Sequence, residues 1–151
     1  MSLQERLDED AKSALRGRDQ ARLSILRLVR AAVHNEEIAR QKPVDDVGVV
    51  EVLARMVREH RESIEMFEKG NRPDLVAKEQ AGLAVLMEYL PQQLSRDKIT
   101  RLARQVMQEV GAKGPTDRGK VMGRLMPQVR GKADGAQVAA VVAELLEGMV
   151  A

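Results

Sequence analysis

The chain has no cysteine and no tryptophan, and only one phenylalanine and one tyrosine in 151 residues. Without cysteine, disulfides, thiolate metal sites and cysteine nucleophiles are excluded. With so few aromatics there is little for unpaired bases to stack on, which weakens any case for a single-strand-binding platform. No apolar run approaches the length of a membrane span. The N-terminus, MSLQERLDED, is acidic and lacks the apolar region of a signal peptide, so the expected compartment is the cytoplasm. No metal constellation and no catalytic triad can be assembled from these residues, and no cofactor is expected.

What is present suits a soluble helical protein. Hydrophobic residues make up 44% and charged residues 32%, and the length allows one domain, or a domain with a small appendix. The net charge is only +2, yet residues 1–90 carry 15 basic against 17 acidic side chains and residues 91–151 carry 10 against 6. The positive bias therefore lies in the last third, a mild asymmetry that permits a nucleic-acid partner without requiring one.

Apolar residues recur at three and four positions through most of the chain, which predicts amphipathic helices. A first helix runs from about Ser2 to Arg16, stopped by Gly17; a second, capped by Asp19, reaches about Gln41. The second is apolar on two sides, with Leu23 and Ile38 opposite its main stripe, and such a helix is usually central in a bundle. Beside them stand Arg27, Arg30 and His34, readable as an anion site or as ordinary surface charge. After Pro43 a third helix continues to Lys69, where Gly70 stops it, and Pro73 opens a fourth that runs to Tyr89. Leu90–Pro91–Gln92 reads as a hinge. Ser95 caps a fifth helix to Val110, and two short helices close the chain. Val47–Val50 and Val138–Val142 are β-branched but lie inside longer helical patterns. The expected fold is all-α: an N-terminal bundle of about four helices over residues 1–91 and a C-terminal three-helix domain over residues 92–151, as a monomer.

Two polar residues fall on apolar faces. His60 lies within the third-helix stripe and Glu79 within that of the fourth. An ionised, unpaired carboxylate there is too costly, so Glu79 is expected to pair with His60 or with an arginine of the second or third helix. Both are read as structural buried polar groups; catalytic acid–base use is the alternative.

The stretch Gly114-Pro115-Thr116-Asp117-Arg118-Gly119-Lys120 satisfies seven positions of a phosphate-binding P-loop. The eighth is Val121, which has no hydroxyl for magnesium, and the preceding segment is an amphipathic helix where a P-loop needs a strand. What survives is a glycine-flanked helix start beside Arg118 and Lys120 that could hold a phosphate. On the following helix Lys120 and Arg124 stand opposite the stripe of Val121, Met122, Leu125, Met126 and Val129. Gly131 ends that helix, Arg130 and Lys132 lie in the turn, and Asp134 with Gln137 reads as a capping box.

Four segments, RLSILRLVRAAVHNEEI, REHRESIEMFEKGNRPDL, KEQAGLAVLMEYLPQQLS and GKVMGRLMPQVRGKADG, together resemble the GatB/YqeY-domain family, specifically its free-standing YqeY-like type. One departure is Gly82, where the family pattern usually places a second acidic residue. The resemblance implies a C-terminal domain similar to the tail of the B subunit of the tRNA-dependent amidotransferase, which helps hold tRNA while chemistry is done elsewhere. The label of carbon–nitrogen ligase activity, with glutamine as amido-nitrogen donor, often accompanies the family, but the catalytic part of the B subunit has no counterpart here. The expected function is thus non-catalytic tRNA binding, with Lys113, Arg118, Lys120, Arg124, Arg130 and Lys132 on the phosphate backbone. The alternatives are an accessory subunit docking on an amidotransferase or aminoacyl-tRNA synthetase, and a small enzyme using Glu79 and His60.

Overall fold

The amphipathic stripes fold into seven α-helices, with no strand among the described residues, in the computed structural model of the chain. The structure describes residues 1–91 and 93–150. Gln92, the last residue of the expected hinge and the first of the expected C-terminal domain, lies outside the described residues, as does Ala151. The chain divides into two compact units, Met1–Leu90 and Pro91–Ala151, each with its own aliphatic core.

The first unit comprises α1 (Leu3–Arg16), α2 (Gln20–Arg40), α3 (Asp46–Lys69) and α4 (Pro73–Met87). Ser2, Asp19 and Asp45 cap the first three, their side chains accepting from the backbone N–H of Glu5, Arg22 and Gly48. Each such cap stabilises by about 1 kcal/mol. The α2 helix packs against α1, α3 and α4, and Leu26, Val29, Leu53 and Leu86 are fully buried between them. Its second apolar side is only partly used, since Leu23 is buried but Ile38 is 62% exposed. The far halves of α3 and α4 bury little: beyond Val57 no α3 residue is fully buried.

The first and third helices stop at Gly17 and Gly70 as expected, but neither glycine supplies the left-handed residue. Both glycines have ordinary negative φ, and the left-handed residue is the next one, Arg18 (φ 57°) or Asn71 (φ 55°). The reason is the closing hydrogen bond, which runs from Asp19 N–H to Ala14 C=O and from Arg72 N–H to Phe67 C=O, both 2.9 Å. That six-residue closure puts the reversal one position past the glycine. The fourth helix ends earlier than Tyr89. Glu88, Tyr89 and Leu90 donate to carbonyls three residues back rather than four, which tightens the last turn ahead of Pro91.

Tyr89 itself is buried at the end of that turn, 4% exposed. Its hydroxyl donates to Asp10 Oδ2 at 2.5 Å and accepts from Arg22 Nη2 at 3.3 Å. Arg22 also pairs with Glu88 at 2.7 Å, and the Arg6 guanidinium lies 4.7 Å from the Tyr89 ring centroid. These contacts fasten the C-terminus of α4 to α1 and α2.

The second unit comprises α5 (Arg96–Val110), a 3-10 turn over Pro115–Asp117, α6 (Arg118–Val129) and α7 (Gly135–Gly148). Ser95 caps α5 and Asp134 caps α7. Ile99, Val106, Val121, Leu125, Val129, Val138, Val142 and Leu146 meet in its core, each at most 1% exposed. Pro127 forfeits one bond of the α6 ladder near its end. Gly131 supplies the left-handed turn between α6 and α7 (φ 79°), and that turn is held to the entry of α5 by the bond from Leu94 N–H to Lys132 C=O at 2.8 Å.

Burial, and then the hydrogen bond to Asp10, push the Tyr89 hydroxyl up to about 12 from its ordinary 10.0. Because the native state favours the neutral form, that stabilisation is fully present below about pH 10 and is lost as pH rises from about 10 to about 12. Tyr89→Phe should cost about 1–2 kcal/mol at neutral pH in urea unfolding. It should also flatten the decline in stability between about pH 10 and about pH 12 relative to the parent chain.

Candidate nucleic-acid interface

The second unit holds all six cations expected on a phosphate backbone, and Lys113, Arg118, Lys120, Arg124, Arg130 and Lys132 are all exposed. They do not share one face. Lys120 and Arg124 point away from the α6 apolar stripe, whereas Arg118, at the first helical position, stands about 160° around the axis from Lys120. Arg130 and Lys132 lie beyond the opposite end of α6, about 18 Å along a helix of 12 residues. Arg124 and Lys120 are also partnered by acids of their own unit. Arg124 Nε lies 3.1 Å from Glu109 Oε2 on α5, and Lys120 Nζ lies 4.0 Å from Asp117 Oδ1.

The glycine-flanked start of α6 carries a negative charge of its own. Asp117 immediately precedes the helix, and its Oδ2 accepts from Lys113 N–H at 2.8 Å. A phosphate at this end would meet the Asp117 carboxylate, so the helix start is a poorer phosphate seat than its glycines suggest. Gly114 is extended and leads into the 3-10 turn, and the segment up to Val110, where a P-loop needs a strand, is the helix α5.

A row of cations on α5 was missed in reading the sequence. Lys98, Arg101 and Arg104 are exposed, recur at three-residue spacing, and stand opposite the buried Ile99, Ala103 and Val106. None of the three has an ion pair among the described residues; Gln105 and Gln108 share the outward face, as does exposed Asp97, one turn before Arg101. The signal was available: the wheel that turns Ile99 and Val106 inward turns these three outward. Adjacent members are about 4.5 Å apart along the axis, a spacing over which flexible Lys and Arg side chains can reach successive phosphates.

The family model for Yqey-like protein matches residues 4–146. The chain belongs to the YqeY-like protein family. Among curated relatives, this YqeY-like chain is 29% identical over 130 residues to the protein named "Altered inheritance of mitochondria protein 41, mitochondrial" of Pyrenophora tritici-repentis, covering 85% of this chain and 71% of that one. It is 34% identical over 85 residues to the protein of the same name in Eremothecium gossypii, covering 56% and 46%. The Saccharomyces cerevisiae protein is 30% identical over 87 residues, covering 57% and 47%. The matches thus span about seven-tenths of the first relative and under half of the other two. The names correct the expected cytoplasmic compartment, because these relatives are mitochondrial proteins. A missing apolar signal region speaks only against secretion; mitochondrial targeting uses an arginine-rich amphipathic segment, which that observation does not address. Among the described residues no helix is long and apolar enough to cross a membrane.

In this YqeY-like chain His60 and Glu79 face each other between α3 and α4, Nε2 to Oε2 at 3.5 Å. The Met56 carbonyl, 3.0 Å from His60 Nδ1, can only accept, so Nδ1 carries a proton and Nε2 is turned to the carboxylate. Both side chains are half-buried rather than buried, at 14% and 26% exposure; partial access to water spares the pair the full desolvation cost. No group of three or more histidine, aspartate and glutamate side chains that could hold a metal occurs among the described residues. Gly82 lies one turn further along α4, and a Cβ there would come within 2.7 Å of Ile25 Cδ1 and 3.0 Å of His60 Nε2. The acidic residue that the resemblance places at this position would therefore project at the nitrogen that Glu79 faces. Here Glu79 faces it alone, and the missing side chain lets α4 pack closely.

Two glycine substitutions should separate in sign. Gly82→Leu should destabilise by about 1–3 kcal/mol through overpacking against Ile25 and His60. Gly123→Ala, mid-helix in α6 with nothing within 4 Å of a new Cβ, should stabilise by about 0.5–1 kcal/mol. Urea unfolding of each variant measures both.

Proposed function

We propose that this YqeY-like chain is a non-catalytic accessory protein that binds tRNA along its phosphate backbone through the second unit. The observation that carries the reading is the outward face of α5, where Lys98, Arg101 and Arg104 stand in line, none of them in an ion pair among the described residues, against the single acid Asp97. Exposed Lys113, Arg118, Arg130 and Lys132 extend positive charge to both ends of α6, and residues 91–151 carry 10 basic against 6 acidic side chains. Scarce aromatics favour recognition of shape and backbone over base stacking. Similarity to the tRNA-holding tail of the amidotransferase B subunit points the same way.

A second reading is docking on an amidotransferase or aminoacyl-tRNA synthetase. It is favoured by a cleft of about 780 Å³ between the end of α5 and α7, lined in part by Met107, Leu145 and Met149. Methionine side chains adapt to varied apolar partners. Carbon–nitrogen ligase chemistry is not part of either proposal.

Binding of bulk tRNA across a salt series separates the readings, with mitochondrial tRNA included because of how the relatives are named. Lys98→Ala/Arg101→Ala/Arg104→Ala should weaken low-salt affinity at least about tenfold and make the slope of log affinity against log salt shallower by about two to three. Lys120→Ala/Arg124→Ala, which removes two cations already paired with Asp117 and Glu109, should do less. Absence of binding at low salt, or equal binding by the α5 variant, would overturn the proposal and leave protein docking as the reading to pursue.

A further inference from the structure

The first unit has a polar cleft of about 410 Å³ between α1 and α2, and it contains Arg27, Arg30 and His34. These residues share one stripe of α2 at spacings of three and four, so Arg27 and His34 are about 10 Å apart along the axis with Arg30 between them. The acids in the cleft are already engaged. Asp8 Oδ1 is held by Arg30 Nε at 2.8 Å, and Glu37 Oε2 accepts from Val44 N–H at 3.0 Å and from Gln4 Nε2 at 3.5 Å. Arg27 and His34 have no such partner among the described residues. The cleft thus has Asp8 balanced by Arg30, Glu37 held by neutral N–H donors, and Arg27 as an arginine with no ion pair among the described residues.

Its apolar lining matters as much as its charge. Leu7 and Val33 line the same cleft and are 1% and 3% exposed. A low-dielectric wall beside a cation focuses its field into the concavity, so an anion there is held better than at an open surface. The volume falls within the range of small-molecule sites. Two donors of different shape, approaching from two turns apart on either side of Arg30, suit a tetrahedral group with acceptor oxygens on every side.

We infer that the α1–α2 cleft binds the phosphate group of a small phosphorylated molecule, with Arg27 and His34 as its ligands and Arg30 kept in place by Asp8. This site is separate from the α5 face, and its test does not depend on tRNA binding.

The chain has two histidines, so imidazole C–H signals in an NMR spectrum report on His34, with His60 as an internal control. In a titration with inorganic phosphate at fixed pH and ionic strength, His34 should shift along a saturating curve while His60 stays in place. Arg27→Ala, an exposed substitution, should weaken the apparent affinity about tenfold, and Arg27→Lys should recover part of it. A second arm replaces phosphate with bulk tRNA at equal phosphate concentration and should move His34 less than inorganic phosphate does. A linear, unsaturable shift, equal shifts at His34 and His60, or an unchanged response in Arg27→Ala would overturn the inference. So would a larger His34 shift with tRNA, which would reassign the cleft to nucleic acid.

Discussion

A buried hydroxyl has to be satisfied, and the first unit is arranged around the one aromatic hydroxyl it possesses. Tyr89 sits where α4 ends, between Asp10 of α1 and Arg22 of α2. Leaving either hydrogen bond unmade would cost the desolvation of a phenol next to a carboxylate. The network therefore fixes where α4 stops and which helices it meets before the chain reaches Pro91. Around it the core is aliphatic, built from leucines and valines that fit closely because so few large rings compete for space. Gly82 belongs to the same constraint, since the absence of a side chain there brings α4 against Ile25 and His60.

The second unit solves a different problem. Three short helices bury one stripe each, and the remaining faces are free to carry charge. On α6 much of that charge is spent internally, in Arg124 with Glu109 and Lys120 with Asp117. On α5, among the described residues, only Arg96 is so engaged, with Glu144, and Lys98, Arg101 and Arg104 face solvent outnumbering the one acid beside them, Asp97. A partner's phosphates would displace no existing ion pair on that face, whereas on α6 they would compete with acids a few ångströms away.

Much of this was legible in the sequence. Periodicity located all seven helices, and the caps at Ser95, Asp19 and Asp134 follow from residue chemistry alone. The short segments near Pro91 and Gly114 were readable from their proline and glycine content. The candidate site was less legible. Helical wheels show which residues face outward, and the α5 row was as visible as the α6 pair. Distances between elements are absent from a wheel, so the neutralisation of Arg124 by Glu109 was not readable, whereas Asp117 stands in the sequence immediately before α6.

Sequence by itself determined the secondary structure, the aliphatic character of both cores, the exclusion of thiol chemistry and membership of the YqeY-like family. These depend on local spacing and composition, which do not change with the path of the chain. Tertiary structure decided the remainder: the half-burial of His60 and Glu79, the network around Tyr89, and which cations meet acids of other helices. Each depends on through-space contacts between residues far apart in sequence, such as the 79 positions separating Tyr89 from Asp10. Burial and electrostatic pairing are sums over neighbours, and only the packed chain defines who the neighbours are.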